Sequence, residues 1–369
     1  MRVVVVSHLY ADPASREKLR SLAGLGVTLV AAVPDRWCGS DGVSRGTDCA
    51  VDGGLHLIPV PVRGPVREPG RMIWHNQSLR RLLTDFRPDL VHIEEEPWTQ
   101  PATLALRMAR RFGMPTVLST TESLPRNYSL AERFRRERNL RSATGVIAGN
   151  SLALALAARR RPSRPQLTIP QLGVTPRERP PQEGRAALSI GFVGRLVPER
   201  GLDLLFRACV GLVGKWSLTV VGTGPSQEEL EALAQRLGIS ARVSWLGALP
   251  HDKVELLWSR LDCVVVPART TPRWVLTVGR AALQAMANEV AVVVSDSGAL
   301  PELVGDAGRI VPEEDVPALT AALQGLCADR AECRRLGAAG HRRIVEQFSH
   351  EAIAGKTLSF WRSLTPATA

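Results

Sequence analysis

The strand-like runs of this chain are apolar from end to end, and they alternate with segments of helical period. Val3–Ser7, Val27–Val33, Cys263–Val266 and Val290–Val294 show almost no polar and apolar alternation. A strand with one solvated face alternates, whereas a strand covered on both faces does not. Helical segments fall between such runs, at Ser15–Leu25, Trp74–Phe86, Thr99–Phe112 and Leu130–Arg141, then at Leu202–Leu212, Gln227–Leu237 and Arg280–Ala287. The pattern predicts an α/β chain with parallel sheets covered by helices on both faces. In such folds ligand lies beyond the carboxyl ends of the strands.

At 369 residues the chain is too long for one core. Thr175–Gly184 carries three prolines and no apolar period, which marks a linker. Two doubly wound domains are therefore expected, 1–175 and 189–346. A final helix is expected over 351–364, with Ile353, Leu358 and Trp361 as its buried face.

Charge is uneven. Residues 1–180 hold 27 basic and 16 acidic side chains, and residues 181–369 hold 20 of each, so the net +11 belongs to the first half. That asymmetry suits an anionic partner, such as an acidic membrane face or a phosphorylated acceptor. Arg133, Arg135, Arg136, Arg138 and Arg141 share one segment with Phe134 and Leu140. A solvated Arg-rich helix and a helix resting on anionic lipid are both open there. Aromatic residues are not interleaved with the basic ones, which argues against nucleic acid. The six cysteines form no CxxC pair and have no neighbouring His, so reduced thiols and no metal site are expected. The opening residues lack the pattern of a secretory signal, and no apolar run approaches the roughly 20 residues of a membrane span. A cytoplasmic protein, at most peripheral to the membrane's inner face, is expected.

Three segments of the second half carry the chemistry. In Ile190–Ala208 a strand ends at Gly194, a turn presents Arg195, and Arg200-Gly201 precede a helix. Such a turn suits a phosphate, through backbone N–H groups, the helix dipole and two guanidinium groups. The alternative is two solvated arginines. Gly222 and Gly224 follow the next strand without the third glycine of a dinucleotide fingerprint, so no nicotinamide cofactor is implied. Trp245 ends a short strand and is either a pocket wall or core. In Pro267–Asp315 a turn at Trp274–Gly279 feeds the helix Arg280–Ala287, whose first amides (Val278, Gly279, Arg280) suit an anion.

These segments resemble the retaining GT-B glycosyltransferases of family 4. The shared frame is Val193-Gly194-Arg195-Leu196 with Arg200-Gly201, the Val221–Pro225 turn, Trp274, Gly279, Ala285-Met286-Ala287, and Ser295–Gly298 with Pro301-Glu302. The resemblance covers nearly the whole chain. It implies two Rossmann-like domains facing a central cleft, a final helix 351–364 that returns to the first domain, and a nucleotide diphosphate-sugar as donor substrate, with no cofactor and no metal. Arg195 and Arg200, the latter standing for the family's Lys, would grip the donor diphosphate and stabilise it as it leaves. Gly194, Gly222, Gly224, Trp245, Leu276, Val278, Gly279, Arg280 and Gln284 would line the donor site. Where the family carries two glutamates eight positions apart, this chain has Leu276 and Gln284. Two functions follow. One is a hexosyltransferase acting with retention on a glycan, lipid or small-molecule acceptor. The other is a relative that binds nucleotide or a partner without transfer. On the acceptor side, His8 follows the first strand, Glu94-Glu95-Glu96 follow another and Glu122 a third. His8, Glu95 and Glu122 are the acceptor-side candidates; a solvated acidic loop is the alternative for the three glutamates.

Overall fold

The computed structural model describes residues 1–39, 42–159, 164–178 and 187–365, with the side chains of 251 and 252 left aside. The chain divides into two compact units. One is Met1–Gly173 with His350–Ala369, and the other is Val174–Ser349. Much of the linker expected over 175–184 lies outside the described residues.

The first unit holds an eight-stranded sheet. Its spatial order is Gln166–Thr168, Gly145–Ala148, Thr116–Thr120, Leu90–Ile93, Arg2–Val6, Thr28–Pro34, Leu55–Val60 and Ala50–Asp52. All neighbours are parallel except the edge strand Ala50–Asp52. The alternating residues of Arg2–Val6 explain its uniform apolarity. Val4 and Val6 pack with Leu104 and Leu79 on one face, and Val3 and Val5 pack with Leu19 and Trp361 on the other. That second face is covered partly by the helix His350–Leu364, whose Ile353, Leu358 and Trp361 are buried. Helix starts are set by local caps. Thr99 accepts from the Ala102 amide, Asn150 from Ala153, and Ser129 with Glu132 forms a reciprocal capping box.

The second unit holds a six-stranded parallel sheet, in the order Val243–Trp245, Trp216–Val221, Leu188–Val193, Cys263–Val266, Ala291–Ser295 and Arg309–Val311. Two apolar clusters cover its faces. One is built around Phe192, Phe206 and Leu323, and the other around Val264, Met286 and Leu300.

One local expectation is corrected, and one strand is added. Ile73–Trp74 is a short strand antiparallel to Val62–Arg63, and the helix begins only at Asn76. The Trp74 amide donates to Gln100 Oε1 at 3.0 Å, a bond to a residue 26 positions away that holds this stretch extended. Arg309–Val311 is a strand that the residue pattern did not signal. Three residues are too few for a period-2 signal, and only pairing with Ala291–Ser295 defines them.

Candidate active site

In the second unit the strand Leu188–Val193 ends in the turn that carries Gly194 and Arg195. Arg195 is exposed and makes no ion pair with the described residues. Arg200 is half-buried, 5.4 Å from the centroid of the Trp274 ring, and also has no carboxylate partner among the described residues. Desolvation holds its guanidinium below the usual arginine range. Nearby Arg269 is different: Asp203 binds it through two bonds and Glu314 adds a third contact, which raises its pKa. A buried charge is ordinarily paired. Arg200 keeps its charge without that pairing.

Trp274 ties this turn to the loop that starts the helix Arg280–Ala287. Gly279 caps that helix at φ 58°, and a Cβ there would lie 2.9 Å from Leu300 Cδ2. Only glycine turns this corner without strain. Among the described residues no backbone acceptor takes the amides of Val278, Gly279 or Arg280. Val278 and Arg280 are exposed. This is an unfilled set of donors at a positive helix end.

Other residues of the motif hold the protein together. A Cβ on Gly222 would stand 1.9 Å from the Gly194 carbonyl oxygen, and one on Gly224 would stand 2.2 Å from that of Leu196. These glycines let two strand-end turns touch. Trp245 packs edge-to-face on Phe206, 5.9 Å between centroids, against the core. Leu276 is only 5% exposed and sits in the apolar cluster with Leu300 and Leu303. Gln284 is partly buried, and its carbonyl accepts from the Asn288 side chain at 2.8 Å. Ser295 donates to the Ala268 carbonyl, and Ser297 bonds Thr270, whose amide donates to Glu313. The Ser295–Gly298 turn is thus stitched to the loop bearing Trp274.

In the first unit, the three glutamates are not a solvated loop. Glu94 is buried, accepting from Lys18 Nζ at 2.6 Å and Tyr10 Oη at 2.7 Å. Burial pushes its carboxyl up, but Lys18 and His92 outweigh that and hold it below the ordinary value. Glu95 is buried and accepts from the His8 amide at 2.6 Å and from His8 Nδ1 at 2.8 Å. Glu96 accepts from the Thr121 amide and from the hydroxyls of Thr120 and Thr121. Burial and the charge of Glu122 raise its pKa, against those bonds. Glu122 pairs with the buried Arg136 at 3.3 Å. His92 donates or accepts at Ser119 Oγ, 2.8 Å, and burial pushes its ring down to about 4. His8 is 29% exposed. Burial lowers its pKa, but Glu95, by charge and hydrogen bond, and Glu96 together raise it above the ordinary value. Among the described residues no three His, Cys, Asp or Glu side chains are grouped to hold a metal. No described helix is long and apolar enough to cross a membrane.

Residues 11–173 match the glycosyl transferase 4-like domain, and residues 180–343 match glycosyl transferases group 1. The chain belongs to the GT-B glycosyltransferases. A GDP-mannose-dependent alpha-(1-6)-phosphatidylinositol monomannoside mannosyltransferase of Mycobacterium tuberculosis is 27% identical over 89% of this chain and 88% of that protein. The MMP alpha-(1->4)-mannosyltransferase of Mycolicibacterium hassiacum is 33% identical over 53% of this chain and 48% of that protein. Among solved structures, sucrose-phosphate synthase from Thermosynechococcus elongatus gives a TM-score of 0.68 at 20% identity, covering 99% of both chains. Anabaena HepE in complex with UDP gives 0.70 at 16% identity, covering 98% of this chain and 100% of that one. These structural likenesses carry the fold.

Two features of this glycosyltransferase escaped the sequence. The Lys18–Glu94–Tyr10 network joins residues as far apart as 84 positions, and no local pattern signals it. The stacking of Arg200 on Trp274 likewise joins two motifs that are separate in the chain.

Proposed function

We propose that this protein transfers a hexose from a nucleotide diphosphate-sugar to a hydroxyl of a glycan or lipid acceptor, with retention of anomeric configuration. The observation that carries the reading is Arg200, a half-buried guanidinium without a carboxylate partner among the described residues, stacked on Trp274 of the loop that leads into the unfilled amides of 278–280. A diphosphate supplies the missing anion. Arg195, Arg200 and the amides hold it and stabilise the charge that develops as it leaves. The mannosyltransferase relative of Mycobacterium tuberculosis makes GDP-mannose the first donor to try. Leu276 gives the sugar no polar contact, so the diphosphate and ribose contacts carry most donor affinity. The basic helix Leu130–Ser142 presents Leu130, Arg133, Phe134, Arg138 and Arg141 outward, a face that suits anionic lipid.

The second reading, nucleotide binding without transfer, rests on Leu276 and Gln284. One assay separates the two: GDP-mannose, UDP-glucose and UDP-N-acetylglucosamine are each incubated with octyl α-mannoside. The expected product is a new glycoside whose anomeric proton shows the donor's configuration by NMR. Nucleotide binding with no product from any donor refutes transfer, and an inverted product refutes retention.

A further inference from the structure

We propose that Arg269 is a positioning residue that holds the turn of Arg200 and engages the neighbouring carboxylates, leaving Arg200 available to the donor diphosphate. This rests on the donor site read above and adds the residue that keeps it open. All of the groups involved belong to the unit Val174–Ser349.

Arg200 closes the short turn Pro198–Arg200, and Gly201 then leads into the helix Leu202–Val210. The turn rests on the segment that follows the strand Cys263–Val266. Gly201 adopts φ 69°, and a Cβ there would stand 1.9 Å from the Pro267 carbonyl oxygen. Two residues on, the Arg269 amide donates to the Glu199 carbonyl at 2.9 Å, and Arg269 Nη1 donates to the Pro198 carbonyl at 2.8 Å. One residue thus holds both backbone carbonyls just ahead of Arg200. The same segment then folds back. The Thr271 amide donates to the Trp274 carbonyl at 2.8 Å, and the Trp274 ring centroid lies 5.4 Å from the Arg200 guanidinium. Arg269 locates the backbone of Arg200, and Trp274 of the same loop locates its side chain.

Arg269 also takes up the carboxylates. Asp203 lies in the first turn of the helix, three residues after Arg200. It accepts from Arg269 Nη1 at 2.9 Å and from Nη2 at 2.6 Å, so both of its oxygens are occupied. Forked pairs of this kind are among the stronger charge-assisted contacts. Glu314 adopts φ 61°, uncommon for a residue other than glycine, and its Oε1 lies 3.1 Å from Arg269 Nε. Two anions therefore converge on Arg269, and among the described residues no carboxylate pairs with Arg200. The division has a physical consequence. A guanidinium already paired with a carboxylate must give up that pair before it gains a phosphate. With Asp203 and Glu314 engaged by Arg269, Arg200 meets the diphosphate as a half-desolvated cation without a competitor.

The test is calorimetry with GDP on the full chain, beside denaturant unfolding. Arg269→Met frees both carboxylates. GDP affinity is expected to fall by roughly 10- to 150-fold, the contribution of one charge-assisted bond. Adding Asp203→Asn and Glu314→Gln to Arg269→Met is expected to return affinity to within about fivefold of wild type, while the stability contributed by the ion pairs stays lost. A merely structural role would not separate binding from stability in this way. Arg269→Met that binds GDP within about twofold of wild type overturns the assignment. So does a folded triple variant that binds as weakly as Arg269→Met. If wild type binds no GDP, or Arg200→Ala binds it unchanged, the donor-site reading fails by itself. Unfolding of the ligand-free protein then decides the role of Arg269. In the Arg269→Met background, Arg200→Met and Asp203→Asn are expected to couple, their joint effect on the folding constant departing at least about threefold from the product of the single effects. Independent effects there overturn the assignment.

Discussion

Replacing Arg200 by Ala tests the donor site with magnitudes that separate binding from folding. Arg200 has no carboxylate partner among the described residues, so its removal strands no buried anion. The folded protein loses the contact with the Trp274 ring, worth about 0.5–2 kcal/mol. It also regains the desolvation that depresses the Arg200 pKa, so the net stability change should fall below that range. A bound diphosphate loses a charge-assisted hydrogen bond, about 1.5–3 kcal/mol, or roughly 10- to 150-fold in Kd. Arg195 is exposed and has no ion-pair partner among the described residues, so Arg195→Ala should leave stability within about 0.5 kcal/mol while weakening binding similarly. The double variant should lose about 3–6 kcal/mol of binding if the sites add. Arg200→Lys should retain most affinity, since phosphate accepts a point charge as well as a fork. Calorimetry with GDP and UDP, beside denaturant unfolding, reads both quantities. A double variant that binds both nucleotides within twofold of wild type refutes the site. So does a stability loss in Arg200→Ala large enough to account for the weaker binding.

The remaining predictions address the core and the surface. Leu276→Glu should destabilise by a few kcal/mol in denaturant unfolding, because it places a carboxylate in an apolar cluster; unchanged stability with a new preference for GDP-mannose over GDP would refute the buried placement. His92, depressed to about 4 in the fold, binds its proton in the unfolded chain first. Stability should therefore fall as pH drops from about 6.5 to about 4, and His92→Gln should flatten that slope; an identical slope in the variant would show that other groups set it. Lys18→Met leaves Glu94 buried without its cation and should cost about 3–5 kcal/mol, a reading that a variant of wild-type stability would sink. Leu130 and Phe134 lie one turn apart and are 87% and 66% exposed. Leu130→Ser with Phe134→Ser should reduce sedimentation with phosphatidylglycerol vesicles, and equal partition of variant and wild type would remove this helix as the lipid contact.

Local chemistry is why the strand and helix pattern was readable. Val3–Val6 and Ala291–Val294 are apolar because both of their faces are covered, and the sequence shows that without reference to any partner. The turns at Arg195 and Gly279 were readable for a similar reason, since a phosphate-sized turn is made by neighbours in the chain. The short strands Ile73–Trp74 and Arg309–Val311 carry no period, and pairing alone makes them strands.

What the sequence by itself determined is the alternation of apolar strands and helices, the motif positions and the charge asymmetry, all of which follow from residue type and spacing. Tertiary structure alone decided which polar groups are already neutralised. Glu94, Glu95 and Glu96 look alike in the chain, yet Lys18, His8 and Thr121 give each a different electrostatic environment from 25 to 87 positions away. Tertiary structure also placed Leu276 within the core and brought Gly222 against Gly194. The physical reason is range. Backbone preference and amphipathic period act over a few residues, whereas the pairing of a buried charge and the closeness of two turns depend on sheet register.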